Sequence, residues 1–208
     1  NGNIFYGMTQ LGGSNDAGVI FEWDPVTNIY TKKIDLSTAT GSKPQGSLTL
    51  LNGKVYGMTE FGGTNDMGVI FEWDPNTNVY TKKIDLSSAI GSNPQGSLTV
   101  SNGKLYGMTN LGGTNNLGVM FEWDPITNDY TIKKHYDGIN GGRPGLGNDL
   151  ALLQAPVSNG IAGSCTSFPA VTIDNSNNNI WVPITDNNGD AVAEIKANGN
   201  NLGIVSTS

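Results

Sequence analysis

Residues 56–80 read YGMTEFGGTNDMGVIFEWDPNTNVY, and nearly the same sequence occurs at residues 6–30 and 106–130. One tryptophan position recurs every 50 residues, as Trp23, Trp73 and Trp123. A period of this length is typical of a supersecondary unit that is stacked several times along a chain. The repeat therefore predicts one structural unit that forms three times.

The second copy divides into four segments with the length and composition of strands: residues 46–51, 54–61, 68–73 and 79–86. Asn52-Gly53 joins the first two and predicts a tight hairpin, because both residues accept the positive φ of a type I′ turn. Asp74-Pro75 precedes the fourth segment and predicts a turn capped by the aspartate, with φ preset by the proline. A complete unit is therefore expected to be a four-stranded antiparallel sheet, and the first copy supplies only its second to fourth strands.

The third segment places apolar side chains on both of its faces. Alternation puts Val69, Phe71 and Trp73 on one face and Ile70 on the other, beside Glu72. Such a sheet is expected to be covered on both sides by its neighbours. The lysines of the fourth segment discourage further pairing, which predicts an outer edge strand.

Four antiparallel strands and a return segment rich in Ser, Gly and Pro are the pattern of a β-propeller blade. The blades fall near residues 1–45, 46–95 and 96–145, and residues 146–153 begin another. Since a propeller closes with about four to eight blades, two alternatives stay open. Either further blades precede residue 1, or the C-terminal part completes the assembly. The chain opens inside a repeat, so we expect a fragment or a processed product.

Residues 154–208 lack the repeat and predict a small β-rich module. Two strands are expected at residues 180–184 and 191–195, around a turn at residues 186–190, and a last short strand at residues 202–205. The Asn-rich residues 175–179 predict a loop. Pro183 cannot donate to a sheet ladder, so its strand is expected at an edge.

Composition limits the classes of function. Hydrophobic residues make up 37% of the chain and charged residues 14%, with 29 glycines, which suits short strands and tight turns. The net charge of −7 argues against nucleic acids and anionic membranes as partners. The sequence has no apolar run of about 18 residues, so we expect no direct insertion into a membrane.

Cys165 is the single cysteine, which excludes a disulfide within these residues and a cysteine-based metal site. Two interpretations stay open: a small buried apolar residue, or one half of a bridge to residues outside the chain.

No catalytic, cofactor-binding or metal-binding residue is predicted. Gly62-Gly63 lacks the context of a phosphate-binding loop, and a close approach of two backbone segments explains it better. His135 is the single histidine and has no nucleophile elbow beside it, so a structural role is expected. The loops at Asn65-Asp66 and its copies hold too few carboxylates for calcium, which favours turn chemistry.

The recurring carboxylates and aromatic rings also favour structural roles. A glycosidase needs one acid paired with one base or nucleophile, whereas Glu72 and Asp74 are copied into every unit. Glu60 and Glu194 are singular but belong to no recognisable motif. The tryptophans could stack on sugars, although a core between neighbouring blades suits their size better.

The quoted repeat resembles the Gloeo-Verruco (GloVer) tandem repeat of secreted bacterial proteins and, more distantly, kelch blades, over residues 1 to about 153. Residues 178–203, NNIWVPITDNNGDAVAEIKANGNNLG, resemble a segment of exported proteins of the Bacteroidetes type, many of which use the type IX secretion system. These resemblances imply a kelch-like β-propeller, a secreted or cell-surface location and a sorting signal beyond Ser208. The third unit departs from the pattern at residues 131–145, TIKKHYDGINGGRPG, so we expect a shifted register in its outer strand.

The expected function is that of a non-catalytic secreted or cell-surface repeat protein, acting as scaffold, adhesin or exported cargo. Its partners would be a surface protein or glycan and the secretion machinery, and no cofactor is expected. The alternatives are a carbohydrate- or protein-binding propeller, or a non-catalytic fragment of a larger polysaccharide-acting enzyme. Any site should lie where the copies differ: in the loop at residues 64–67, in the third return segment or in the C-terminal module.

Overall fold

The computed structural model describes residues 4–152 with their side chains and, further on, the backbone of residues 172–174, 179–185, 191–198 and 201–206. The chain divides into two compact units, Asn1–Gln154 and Ala155–Ser208. Strands, turns and loops make up this described part, which contains no helix and therefore none able to cross a membrane. The all-β prediction is confirmed.

The first unit contains three antiparallel sheets, one for each copy of the repeat. The first sheet holds β1 (Phe5–Thr9), β2 (Val19–Asp24) and β3 (Ile29–Asp35). The second holds β4 (Thr49–Leu51), β5 (Lys54–Thr59), β6 (Val69–Asp74) and β7 (Val79–Asp85). The third holds β8 (Thr99–Ser101), β9 (Lys104–Met108), β10 (Val119–Trp123) and β11 (Tyr130–His135). In each sheet the strands neighbour one another in chain order, and the outermost position of β7 confirms the predicted edge strand.

The predicted turns form as the local sequence requires. Asn52 and Gly53 take φ values of 52° and 76°, the left-handed geometry expected of the hairpin between β4 and β5. In the next turn the Asp74 carboxylate accepts a hydrogen bond from the Asn76 amide at 2.9 Å. Asn78, at φ 56°, accepts a bond from the Trp73 indole nitrogen at 3.2 Å. Asn78 therefore also holds the Trp73 side chain in place.

A β-bulge interrupts the alternation of side chains along β7, the fourth strand of the second sheet. Phe71 lies opposite Lys82 but Ile70 lies opposite Ile84, so Lys83 is the additional residue. Simple alternation would have put Tyr80, Lys82 and Ile84 on one face. The bulge instead moves Ile84 to the face of Ile70.

The third sheet keeps the register of the second. Phe121 lies opposite Ile132 and Met120 opposite Lys134, with the bulge in the same place. The predicted register shift in this outer strand is wrong. The altered residues change side chains along the strand but leave its register unchanged, although the pairing ends one residue pair earlier, at Trp123 and Tyr130.

The core lies between consecutive sheets. The first junction joins Ile20 of the first sheet to four buried side chains of the second, Val55, Val69, Phe71 and Trp73. The second junction joins the opposite face of the second sheet, with Tyr56, Met58 and Ile70, to Val119, Phe121 and Trp123 of the third. Both faces of the second sheet are thus covered, as its sequence predicts.

The second unit is described by its backbone as an antiparallel sheet of β12 (Thr172–Asp174), β13 (Asn179–Thr185), β14 (Ala191–Asn198) and β15 (Asn201–Ser206). The three predicted strands correspond to β13, β14 and β15, whereas β12 was not predicted. The expected edge position of the strand that holds Pro183 is wrong, because β13 lies between β12 and β14. Pro183 itself lies beyond the residues of β13 that pair with β12, which end at Trp181. Cys165 and residues 175–178 and 186–190 lie outside the described residues.

Trp73→Ala should lower the free energy of unfolding by about 3–5 kcal/mol, because the fully buried indole would leave a cavity between two sheets. Urea denaturation of the purified chain measures this loss. Ile126→Ala serves as control, since Ile126 is 83% exposed and the loss should stay within about 0.5 kcal/mol. Equal losses in the two variants would contradict the assignment of Trp73 to the core.

Candidate functional site

The recurring glutamate of the third strand lies in a network of charged groups at the edge of each core. The Glu72 carboxylate is 2.6 Å from Lys54 Nζ and 3.6 Å from Lys83 Nζ, and it accepts a hydrogen bond from the Tyr56 hydroxyl at 3.2 Å. The third copy repeats this arrangement around Glu122, with Lys104 at 2.7 Å and Lys133 at 3.1 Å. These carboxylates hold three strands of one sheet together.

The surroundings keep both carboxylates ionised. Burial alone would raise the pKa of Glu72, but the Lys54 hydrogen bond and the charges of Lys83 and Lys54 outweigh it, and the pKa lies below its usual value. At Glu122 the Lys104 hydrogen bond, followed by those from Tyr106 and Lys133, lowers the pKa to about 2. A general acid needs a raised pKa, so neither group is suited to that role.

The polar loop between β5 and β6 is held by its own side chains. Asp66 accepts a hydrogen bond from the Gly62 amide at 2.8 Å, and Asn65 donates to the Leu86 carbonyl at 2.9 Å. In the third copy Asn116 replaces the aspartate and accepts the equivalent bond at 2.9 Å. A side-chain amide thus accepts the same hydrogen bond as a carboxylate, which is expected of a residue that stabilises a turn.

The glycine pair lies where backbone segments approach closely. A Cβ on Gly62 would come within 2.8 Å of Gly41 Cα, in the return segment of the preceding copy. A Cβ on Gly63 would come within 2.5 Å of an Asp85 oxygen. The structure therefore agrees with the steric interpretation of the pair.

His135 occupies the position that Asp85 has in the second copy and accepts the equivalent hydrogen bond. Its Nδ1 atom accepts a hydrogen bond from the Thr114 amide at 3.1 Å, in the same way that Asp85 accepts one from the Thr64 amide at 2.8 Å. The single histidine thus anchors the loop of its own copy. Among the residues with described side chains, no group of three or more His, Cys, Asp or Glu could hold a metal ion.

Glu60 joins the return segments of two copies. Its two carboxylate oxygens accept hydrogen bonds from Gln45 Nε2 at 2.7 Å and from Gln95 Nε2 at 2.8 Å. Asn93 donates to the Glu60 carbonyl at 3.2 Å, and the Lys43 ammonium lies 5.8 Å from the centre of the Phe61 ring. We call these six residues the Glu60 cluster.

The Glu60 cluster differs from its counterparts in the other copies. Gln10 and Asn110 stand at the position of Glu60, and Asn110 donates to the Pro144 carbonyl instead of contacting a glutamine. A carboxylate with amides and an aromatic ring nearby can bind hydroxyl groups of a polar ligand. The sequence singles out Glu60 but not its partners, because they lie 15 and 35 residues away on separate return segments.

Comparison with known proteins gives one family. The model of the Gloeobacter/Verrucomicrobia repeat matches residues 1–168. No curated protein matches the chain.

Among solved structures, the chain is similar to a Bacteroides uniformis protein that is provisionally described as a 6-phosphogluconolactonase. The sequences are 13% identical, the TM-score is 0.43, and the match covers 97% of this chain. This chain spans about half of that protein, 53% of its length. A likeness this distant carries no argument about activity.

Glu122→Gln should weaken the acid sensitivity of the fold. The pKa of Glu122 is lowered to about 2 in the folded chain, whereas an unfolded glutamate has a pKa of about 4.3. The ion pairs of Glu122 therefore stabilise the fold fully above a pH of about 4.3. This stabilisation is lost as the pH falls through the window between the two values. The melting temperature of the variant, followed by circular dichroism, should be lower at neutral pH and fall less on acidification.

Asp66→Asn is the matched control, because the third copy already carries asparagine at that position. Its melting temperature should follow that of the unaltered chain across the pH range. A Glu122→Gln profile parallel to that of the unaltered chain would contradict the role of the ion pairs.

Proposed function

The chain belongs to the Gloeobacter/Verrucomicrobia repeat family, and from this premise we propose that it is a non-catalytic scaffold built of kelch-like β-propeller blades. Such a scaffold would serve a secreted or cell-surface bacterial protein as adhesin, support or exported cargo. The proposal rests on the structural contacts that the recurring side chains make. In the second and third copies the recurring carboxylates, aromatic rings and loop amides make contacts within and between sheets.

The blade arrangement is supported by the way successive copies converge before their first strands. A Cβ on Gly46 would clash with the Gly96 carbonyl oxygen, and a Cβ on Gly96 would come within 2.6 Å of the Asn148 carbonyl oxygen. Equivalent backbone positions therefore touch from copy to copy at one side of the sheets. Blades that radiate from a common axis would have this close inner contact.

The proposed location depends on the likeness of residues 178–203 to exported proteins and on the acidic, glycine-rich composition. Export through the type IX secretion system is part of the same proposal. The secretion machinery would then be a partner during export, and a surface protein or glycan a partner afterwards.

A carbohydrate- or protein-binding module is the second candidate, and the Glu60 cluster favours it. The cluster combines a carboxylate, amide side chains, a lysine and a phenylalanine where two return segments meet. Loops on a rigid scaffold are common places for binding. The glutamine amides would orient the carboxylate, and its remaining lone pairs would accept hydrogen bonds from ligand hydroxyls.

A glycan array probed with the labelled chain separates the two candidates, with a reducing-sugar assay on the same polysaccharides as a test for turnover. The scaffold proposal expects no turnover and no glycan binding that depends on Glu60. Binding that is lost in Glu60→Gln but kept in Asp66→Asn would favour the binding module. Sugar release that disappears in Glu60→Gln would contradict both candidates, because it would show catalysis.

A further inference from the structure

The junction between the first and second copies carries two opposite charges on adjacent segments. Ser42 and Phe61 form an antiparallel bridge, and the Glu60 amide donates to the Lys43 carbonyl at 3.3 Å, so Lys43 and Glu60 lie opposite each other. Neither side chain takes part in an ion pair among residues 4–152. We call these two residues the Lys43–Glu60 pair.

Separate contacts hold the two charged groups of the Lys43–Glu60 pair. The Glu60 carboxylate accepts hydrogen bonds from Gln45 and Gln95. The Lys43 ammonium lies over the Phe61 ring, which attracts a cation through its π-electrons. The carboxylate and the ammonium are therefore positioned without bonding to each other.

The next junction shows that these charges are not needed to join two copies. There Ser92 and Leu111 form the same antiparallel bridge. The Asn110 amide donates to the Asn93 carbonyl at 3.3 Å, which is the length of its counterpart in the first junction. Neutral residues thus stand in place of the carboxylate, the ammonium and the ring, with the same backbone bonding. The joining of copies therefore does not explain the charged residues.

The Lys43–Glu60 pair is open to a ligand on the side of the return segments. The glutamines that hold the carboxylate directly precede Gly46 and Gly96, whose backbones touch where successive copies converge. Glu60 is half-buried and Lys43 is exposed. A ligand that reaches this point of convergence can therefore contact both charged groups.

The hydrogen-bonding capacity of the Lys43–Glu60 pair limits the class of ligand. An ionised carboxylate only accepts hydrogen bonds and an ammonium only donates them, whereas a hydroxyl does both. Glu60 would repel an anionic ligand and Lys43 a cationic one, because like charges at an interface are unfavourable. The pair therefore suits an uncharged ligand with neighbouring hydroxyls.

We propose that the Lys43–Glu60 pair binds two neighbouring hydroxyls of an uncharged sugar unit. One hydroxyl donates to the Glu60 carboxylate, and the other accepts from the Lys43 ammonium. The glutamines and Phe61 are positioning residues for the two charged groups. This inference rests on the second candidate function, a carbohydrate-binding module, and adds to it the sugar class and the role of Lys43.

Nuclear magnetic resonance of the nitrogen-15-labelled chain tests the ligand class. Uncharged oligosaccharides of glucose, mannose, galactose and xylose are added separately, and one or more should shift the side-chain amide signals of Gln45 and Gln95. Oligosaccharides of galacturonate and of glucosamine, which carry negative and positive charges, should bind more weakly. Shifts caused only by a charged oligosaccharide would overturn the inference but not the carbohydrate-binding candidate. No shift with any of these sugars would overturn both.

Glu60→Asn and Lys43→Asn test the two contacts, because asparagine already stands at the equivalent residues 110 and 93. Each variant should bind the uncharged oligosaccharide at least about tenfold more weakly, as expected when a hydrogen bond to a charged group is lost. Their circular dichroism spectra should match that of the unaltered chain.

Lys82→Asn is the matched control, because it removes a lysine that is paired with Asp85 on an outer strand. It should leave the affinity unchanged. Weaker binding in Glu60→Asn but not in Lys43→Asn would overturn the role of Lys43 and keep the carbohydrate-binding candidate. Unchanged affinity in both variants would overturn the assignment of binding to this junction.

Discussion

The packing of an indole against a tyrosine of the preceding sheet is the contact on which the repeat depends. Trp73 meets Tyr6 with 5.2 Å between ring centres and 83° between planes, and Trp123 meets Tyr56 at 5.7 Å and 73°. Edge-on pairs of this kind stabilise beyond the area they bury. The indole nitrogen donates to an asparagine of its own turn, so the ring is buried without losing a hydrogen bond. Each sheet therefore completes its core only when a neighbour lies beside it.

The glycine of the second strand follows from the same packing. A Cβ on Gly57 would come within 2.5 Å of the Phe71 ring, which lies over the backbone of β5 and stacks on Tyr80 at 5.0 Å. Only glycine leaves room for that ring. The residues that recur are thus those that neighbouring strands and sheets require. Functional differences are to be sought where the copies depart from the pattern, as at Glu60.

Local patterns in the sequence were enough to predict the four strands of the second and third units, their Asn-Gly hairpins and the burial of both faces of the second sheet. The bulge at Lys83 was not predictable in this way, because two adjacent lysines satisfy either face of a solvated strand. The role of His135 was predictable only as structural, since its partner amide lies 21 residues away. The partners of Glu60 escaped prediction for the same reason. They come together only after the return segments have folded.

The central claim is that the junctions between sheets, more than the pairing within each sheet, stabilise the fold. A polypeptide of residues 46–95 contains all four strands of the second sheet but lacks both neighbours. Urea unfolding of this polypeptide, followed by tryptophan fluorescence, should show no cooperative transition, whereas the full chain should unfold cooperatively. A cooperative transition in the isolated unit, at the denaturant midpoint of the full chain, would contradict the account.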